Sequence, residues 1–129
     1  MNQKMEKREL TKAELQLMNL LWEKGAAFVN ELLVEFPDPK PAYTTVSTFM
    51  RILETKGFVG HKTFGKSHQY YPLVTRETYM DTYMAQVKKT FFKDSLSSMI
   101  SFFARKEKLS SKEIGEIIEL LNENKQPSE

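Results

Sequence analysis

Apolar side chains recur along this chain at helical spacing, switch once to strand-like runs near the middle, and return to helical spacing after residue 75. Leu10, Leu17, Met18, Leu21 and Trp22 share one stripe. Thr11 and Glu14 form a Thr-x-x-Glu capping box and Gly25 offers a left-handed stop, so the first helix is predicted over about Lys12 to Glu23. Phe28, Val29, Leu32, Leu33 and Phe36 predict a second helix over about Phe28 to Phe36, ended by Pro37 and Pro39. A third is predicted over about residues 43–56. In it Val46, Phe49, Met50 and Leu53 face inward, while Thr44, Thr48, Arg51 and Thr55 recur at i, i+4, i+7 and i+11 on the opposite side, and Gly57 ends the run.

Two β-prone runs follow, Phe58 to Thr63 and His68 to Leu73, joined around Gly65 and Lys66, where glycine permits the positive φ of a tight hairpin. A polar-faced helix leading into a lysine-tipped ribbon is the layout of a winged helix-turn-helix. Three more helices are predicted: about Arg76 to Phe92 behind Thr75, about Leu96 to Ala104, and one opening on the box Ser110-x-x-Glu113. The fold class expected is mainly α with a small two-stranded β-ribbon. Residues 1–74 form the winged helix-turn-helix and residues 75–129 a helical dimerisation region. Three short amphipathic helices have too little chain to shield one another, which predicts a homodimer. Its expected interface is Tyr79, Met80, Tyr83, Met84, Val87, Leu96, Ile100, Phe103, Ile114, Ile117, Ile118 and Leu121.

Composition narrows the function. The chain has 129 residues, 40% hydrophobic and 28% charged, which is that of a folded domain rather than a disordered segment. It contains no cysteine, which excludes disulfides, thiolate metal sites and cysteine nucleophiles. No run of about 18 apolar residues occurs, and the opening MNQKMEKREL lacks the apolar stretch of a signal peptide, so a cytoplasmic location is expected. The tail NENKQPSE is expected to fray. Net charge is only +2, yet between residues 40 and 76 the cations Lys40, Arg51, Lys56, Lys62, Lys66 and Arg76 face the single anion Glu54. A positive field concentrated on the third helix and ribbon points to a polyanion.

Double-stranded DNA fits that field and shape. Tyr43, Thr44, Thr45, Ser47, Thr48, Arg51 and Thr55 are the candidate contacts on the third helix, and Lys62 and Lys66 those on the wing. Arginine can donate two hydrogen bonds to a guanine edge, threonine can meet a thymine methyl or a phosphate, and wing lysines neutralise phosphates without reading sequence. Tyr70 and Tyr71 alternate across the ribbon, one inward and one toward the surface. His61 and His68, the two histidines of the chain, make a poor metal site alone and are read as polar ribbon residues. No cofactor is called for. A triple such as Ser67, His68 and Asp81 has no nucleophile turn to support it, so no enzymatic role is expected. The competing reading is a protein-interaction scaffold that uses the same fold without DNA readout.

The segments LTKAELQLMNLLWEKG, YTTVSTFMRILETKGFV, GKSHQYYPLV and LSSKEI resemble the penicillinase-repressor family, the group of BlaI, MecI and the copper-responsive CopY proteins, from about Leu10 to Leu121. The resemblance implies repression by a dimer on a pseudo-palindromic operator. It also implies, for members answering β-lactams, a membrane sensor with a metalloprotease domain whose activation leads to cleavage in the dimerisation region. The matching bond here is Phe102-Phe103, where those members carry Asn-Phe. The cysteine pairs of copper-responsive members are absent, and Phe28 stands where the family commonly opens the second helix with threonine.

Overall fold

A computed structural model describes residues 9–126. The opening MNQKMEKR and the last three residues of the tail expected to fray lie outside the described residues. The elements run α1 (Lys12–Lys24), β1 (Ala27–Phe28), α2 (Val29–Leu33), α3 (Tyr43–Thr55), β2 (Val59–Phe64), β3 (Ser67–Pro72), α4 (Arg76–Phe92), α5 (Leu96–Lys106) and α6 (Ser111–Glu123). They form two compact units, one ending at Thr82 and the other beginning at Tyr83.

In the first unit α1 begins as its sequence predicts. The Thr11 hydroxyl accepts from the Glu14 amide at 3.2 Å, and the Glu14 carboxylate accepts from the Thr11 amide at 2.9 Å. Gly25, at φ +83°, closes the helix with its N–H on the Leu21 carbonyl. The second helix is shorter than expected. Phe28 is extended (φ −83°, ψ 157°) and belongs to β1, whose Ala27 and Phe28 pair with Tyr70 and Gln69. The sheet is therefore three-stranded and antiparallel, ordered β1-β3-β2, rather than a two-stranded ribbon. A buried Ala27 explains the addition, since the edge of β3 would otherwise leave backbone groups unpaired against the core.

Helix α3 is held by packing more than by propensity. Its run Thr44-Thr45-Val46-Ser47-Thr48 is made of weak helix formers, about 0.5 kcal/mol each below alanine, and Ala42 supplies no side-chain cap. Burial of Val46, Met50 and Leu53, at about 1.5–3 kcal/mol each, outweighs that deficit. The helix ends in a Schellman motif: the Phe58 amide reaches the Leu53 carbonyl at 2.9 Å and the Gly57 amide that of Glu54 at 3.0 Å, with Gly57 at φ +88°. Phe58 and Leu53, both fully buried, supply the accompanying apolar contact.

One charged side chain lies in this core. Glu14 is 3% exposed, and the Lys56 ammonium just past α3 lies 2.7 Å from its carboxylate. Burial pushes the Glu14 carboxyl up. The Lys56 ammonium and the Thr11 amide and hydroxyl outweigh that push and hold it below the ordinary glutamate range. The pair thus clamps the end of α3 to the start of α1.

The first turns of α4 also belong to this unit, which runs past the expected boundary at residue 74. The Trp22 indole N–H donates to the Val74 carbonyl at 2.8 Å, and the Tyr79 hydroxyl accepts from the Leu10 amide at 3.1 Å. The Tyr79 ring stands 6.1 Å from Trp22 and 5.8 Å from Phe58. Tyr79, assigned from its spacing to the dimer stripe, therefore packs on the winged-helix core.

The second unit has the predicted capped helices. Ser95 caps α5, and Ser110 with Glu113 forms the box of α6. None of its described side chains is buried. Phe91, Leu96, Ile100, Phe103, Ile114, Ile117, Ile118, Leu120 and Leu121 are all exposed. The rings of Phe92 and Phe102, 5.7 Å apart, are one aromatic contact within it.

Replacing Lys56 with methionine strands the Glu14 charge and should cost about 3 kcal/mol at neutral pH, read as a lowered urea midpoint. Because the folded-state carboxyl titrates below its unfolded value, its contribution is present above the ordinary glutamate value and disappears as pH falls through the lowered one. Glu14→Gln should flatten the loss of stability across that acid window; an unchanged acid profile would contradict the clamp.

Candidate nucleic-acid interface

The outer side of α3 carries Tyr43, Thr44, Thr45, Thr48, Arg51 and Thr55, all exposed, with Ser47 half-buried beside them. This face follows from the burial of Val46, Met50 and Leu53 on the other side. An Arg51 guanidinium nitrogen donates to the Thr48 hydroxyl at 3.2 Å, which lays the arginine along the row, and the Thr55 hydroxyl donates to the Arg51 carbonyl at 3.1 Å. Thr48 thereby orients the Arg51 side chain, while Thr55 is itself held against the helix backbone.

The wing is a two-residue hairpin. Phe64 pairs with Ser67 across Gly65-Lys66, and positive φ at Gly65 alone gives a II′-type turn. Lys62 and Lys66 are exposed on it. Tyr70 is 2% exposed and Tyr71 half-buried, the alternation read from sequence. Burial holds the Tyr70 hydroxyl above its ordinary pKa, with the Glu54 charge adding to the effect. His61 Nδ1 meets the Glu54 carboxylate at 2.8 Å, tying β2 to the last turn of α3, and its ring lies 4.1 Å from that of His68. Among the described residues no three His, Asp or Glu side chains are grouped to hold a metal.

The field is narrower than the list of cations suggests. Lys56 is committed to Glu14. Lys40 donates from Nζ to the Phe36 carbonyl at 2.5 Å and the Val34 carbonyl at 3.3 Å, where it finishes the turn after α2. Arg51, Lys62 and Lys66 remain as exposed cations of α3 and wing without a carboxylate partner among the described residues. Sequence reading missed both commitments. Lys40 carried a usable signal in its position just past a helix end, whereas Glu14 and Lys56 are too far apart in sequence for any local pattern to join them.

Between the start of α3 and the wing runs an open groove of about 350 Å³, lined by Phe28, Val29, Asn30, Glu31, Tyr43, Phe64, Ser67 and His68. The Phe28 and Phe64 rings meet edge to face at 5.8 Å. The Phe102-Phe103 bond lies inside α5, and the Phe103 carbonyl accepts from the Glu107 amide at 2.9 Å.

Comparison with known proteins decides the family, since the penicillinase repressor model matches residues 10–123. The chain belongs to the penicillinase repressor family. It is 31% identical over 115 residues to the methicillin resistance regulatory protein MecI of Staphylococcus aureus (strain N315), covering 88% of this chain and 94% of that one. Against the penicillinase repressor of Bacillus licheniformis it is 26% identical over 118 residues, covering 91% and 92%. It is also similar to the solution structure of the DNA binding domain of the repressor BlaI, with a TM-score of 0.48 and 25% identity, over 55% of this chain and 88% of that chain. Membership makes the protein a DNA-binding transcriptional repressor, in a family of regulators rather than enzymes. Among the described residues no helix is long and apolar enough to cross a membrane.

Proposed function

We propose that the protein represses transcription as a homodimer on a pseudo-palindromic operator, with α3 in the major groove and the β2-β3 wing on the backbone. The observation that carries this reading is the two-sided α3, whose exposed row Thr44, Thr48, Arg51 and Thr55 stands opposite a buried stripe and beside the exposed lysines of the wing. Arg51 reads a guanine edge, and Thr48, already hydrogen-bonded to it, sets its direction. Lys62 and Lys66 neutralise phosphates. Tyr43, Thr44, Thr45 and Ser47 lie at the start of the helix, where backbone and base contacts meet. Two copies place their third helices about one turn of DNA apart, or a multiple of it.

The dimer rests on the second unit, where Tyr83, Met84, Leu96, Ile100, Phe103, Ile114, Ile117, Ile118 and Leu121 are exposed, with Val87 half-buried. So much uncovered apolar surface on three small helices fits burial against a second copy. Met80, exposed on α4, belongs to the same proposed set; Tyr79 serves the first unit instead. Repression is relieved when a membrane sensor with a metalloprotease domain leads to scission at Phe102-Phe103. That step needs α5 to unwind locally, because the bond is helical, and it lowers operator affinity through lost avidity. Uncut repressor in cells whose operator has been released would contradict this route.

Arg51→Ala should cost about 1–3 kcal/mol on the operator and little on random DNA, while Lys66→Ala should weaken both alike and reduce the salt slope by about one. Equal losses on both DNAs for Arg51→Ala would remove its base-reading role. Sedimentation at micromolar concentration should show a dimer, and Ile117→Asp should shift it toward monomer; a folded wild-type monomer at that concentration would refute the assembly.

A further inference from the structure

The wing tip carries a large apolar side chain where a wing on a phosphate backbone needs only polar ones. Phe64 ends β2 immediately before Gly65 and Lys66 and is 53% exposed. It is also held in place. The Phe28 ring braces it edge to face at 5.8 Å, and the backbone under Phe28 is fixed twice, by pairing with Gln69 in β3 and by donation of its N–H to the Glu31 carboxylate at 2.8 Å. Phe28 is the residue expected to open the second helix that instead lies in β1, and the brace is what that position accomplishes. Phe64 also forms one wall of the groove whose other wall includes Tyr43 at the start of α3, so it is continuous with the proposed DNA face.

An exposed, braced ring next to a lysine at a hairpin tip is suited to one surface in particular. The walls of a minor groove are apolar deoxyriboses between two rows of phosphates, and DNA-binding proteins place apolar side chains in that groove alongside cations. Lys62 and Lys66 flank Phe64 along the hairpin and can reach the phosphate rows while the ring meets the sugars. A free protein partner is a poorer fit, since the exposed ring is bordered by the cations Lys62 and Lys66.

We propose that Phe64 is an apolar minor-groove contact of the wing and that Phe28 is its positioning residue. The inference rests on the DNA-binding reading above and adds to it a contact that is neither a phosphate nor a major-groove base edge. Because the ring buries apolar area without releasing counterions, its loss should lower affinity while leaving the salt dependence intact. That separates it from the wing lysines.

The test uses the full chain on operator DNA selected with it. Phe64→Ala should lower affinity about tenfold, the loss of roughly half a phenylalanine's burial, with an unchanged salt slope. Hydroxyl-radical footprinting, which reads deoxyribose exposure in the minor groove, should show protection beside each half-site in the wild type and its loss in Phe64→Ala. Phe28→Ala should reproduce part of the affinity loss, Phe28→Leu should restore most of it, and Phe28→Ala added to Phe64→Ala should cost nothing further. Unchanged affinity and footprint in Phe64→Ala, with the thermal midpoint retained, would overturn the proposal. So would a fall in salt slope, which would make the residue an indirect support of Lys66. Arg51→Ala, run in parallel, keeps this outcome apart from failure of the DNA-binding reading itself, because that variant loses operator binding whether or not the wing carries an apolar contact.

Discussion

The inward stripe Val46, Met50 and Leu53 is the constraint on which the rest of the first unit depends. Residues 43–55 have little helical preference of their own, so α3 exists because those side chains leave water against α2, the sheet and the rest of the core cluster. The same act determines what remains outside. With the apolar stripe sunk, the threonine and arginine row has no freedom to face anywhere but outward, and the Schellman turn at Gly57 hands the chain directly to the wing. Packing energy and the polar face are two consequences of one periodicity.

The buried Glu14–Lys56 pair acts at the end of that helix, where apolar packing gives way to the turn. A buried ion pair is seldom a net source of stability compared with apolar residues of the same size, but removing one partner is costly. Its effect is directional: the carboxylate is also the second half of the α1 capping box, so one side chain joins the first turn of α1 to the residue after α3. Glu54 and His61 make a second, half-buried join between α3 and β2. Helix and wing are thereby held in one frame, which the proposed simultaneous use of both on a duplex requires.

How much of this could be read from the sequence depended on the range of the interaction. The Thr11 and Ser110 boxes, the stop at Gly57 and the turn at Gly65-Lys66 are signals within a few residues, and each stands where its residues predicted. The inward and outward rows of α3 were equally legible, because one helical period carries both. Phe28 misled, since its apolar spacing continues the α2 pattern while its backbone is drawn into a strand by pairing with a partner far along the chain. Tyr79 misled in the same way: its spacing fits the α4 stripe, yet its hydroxyl and ring are engaged by Leu10, Trp22 and Phe58. Lys56 counted as part of the positive field until folding brought Glu14 to it. In each case a contact between residues distant in sequence overrode a local pattern.

The absence of cysteine allows the central claim, that the outer row of α3 meets base edges, to be tested by proximity. A single cysteine introduced as Thr48→Cys can be offered to operator DNA bearing a mixed disulfide on a major-groove base edge, so that exchange links protein to base and releases the small thiol, with Gln16→Cys on the exposed side of α1 as the comparison. Rapid disulfide cross-linking of Thr48→Cys to one or two positions within each half-site, and none for Gln16→Cys, is the predicted result. Cross-linking of Gln16→Cys alone, or equal yields from both along the whole duplex, would contradict the account.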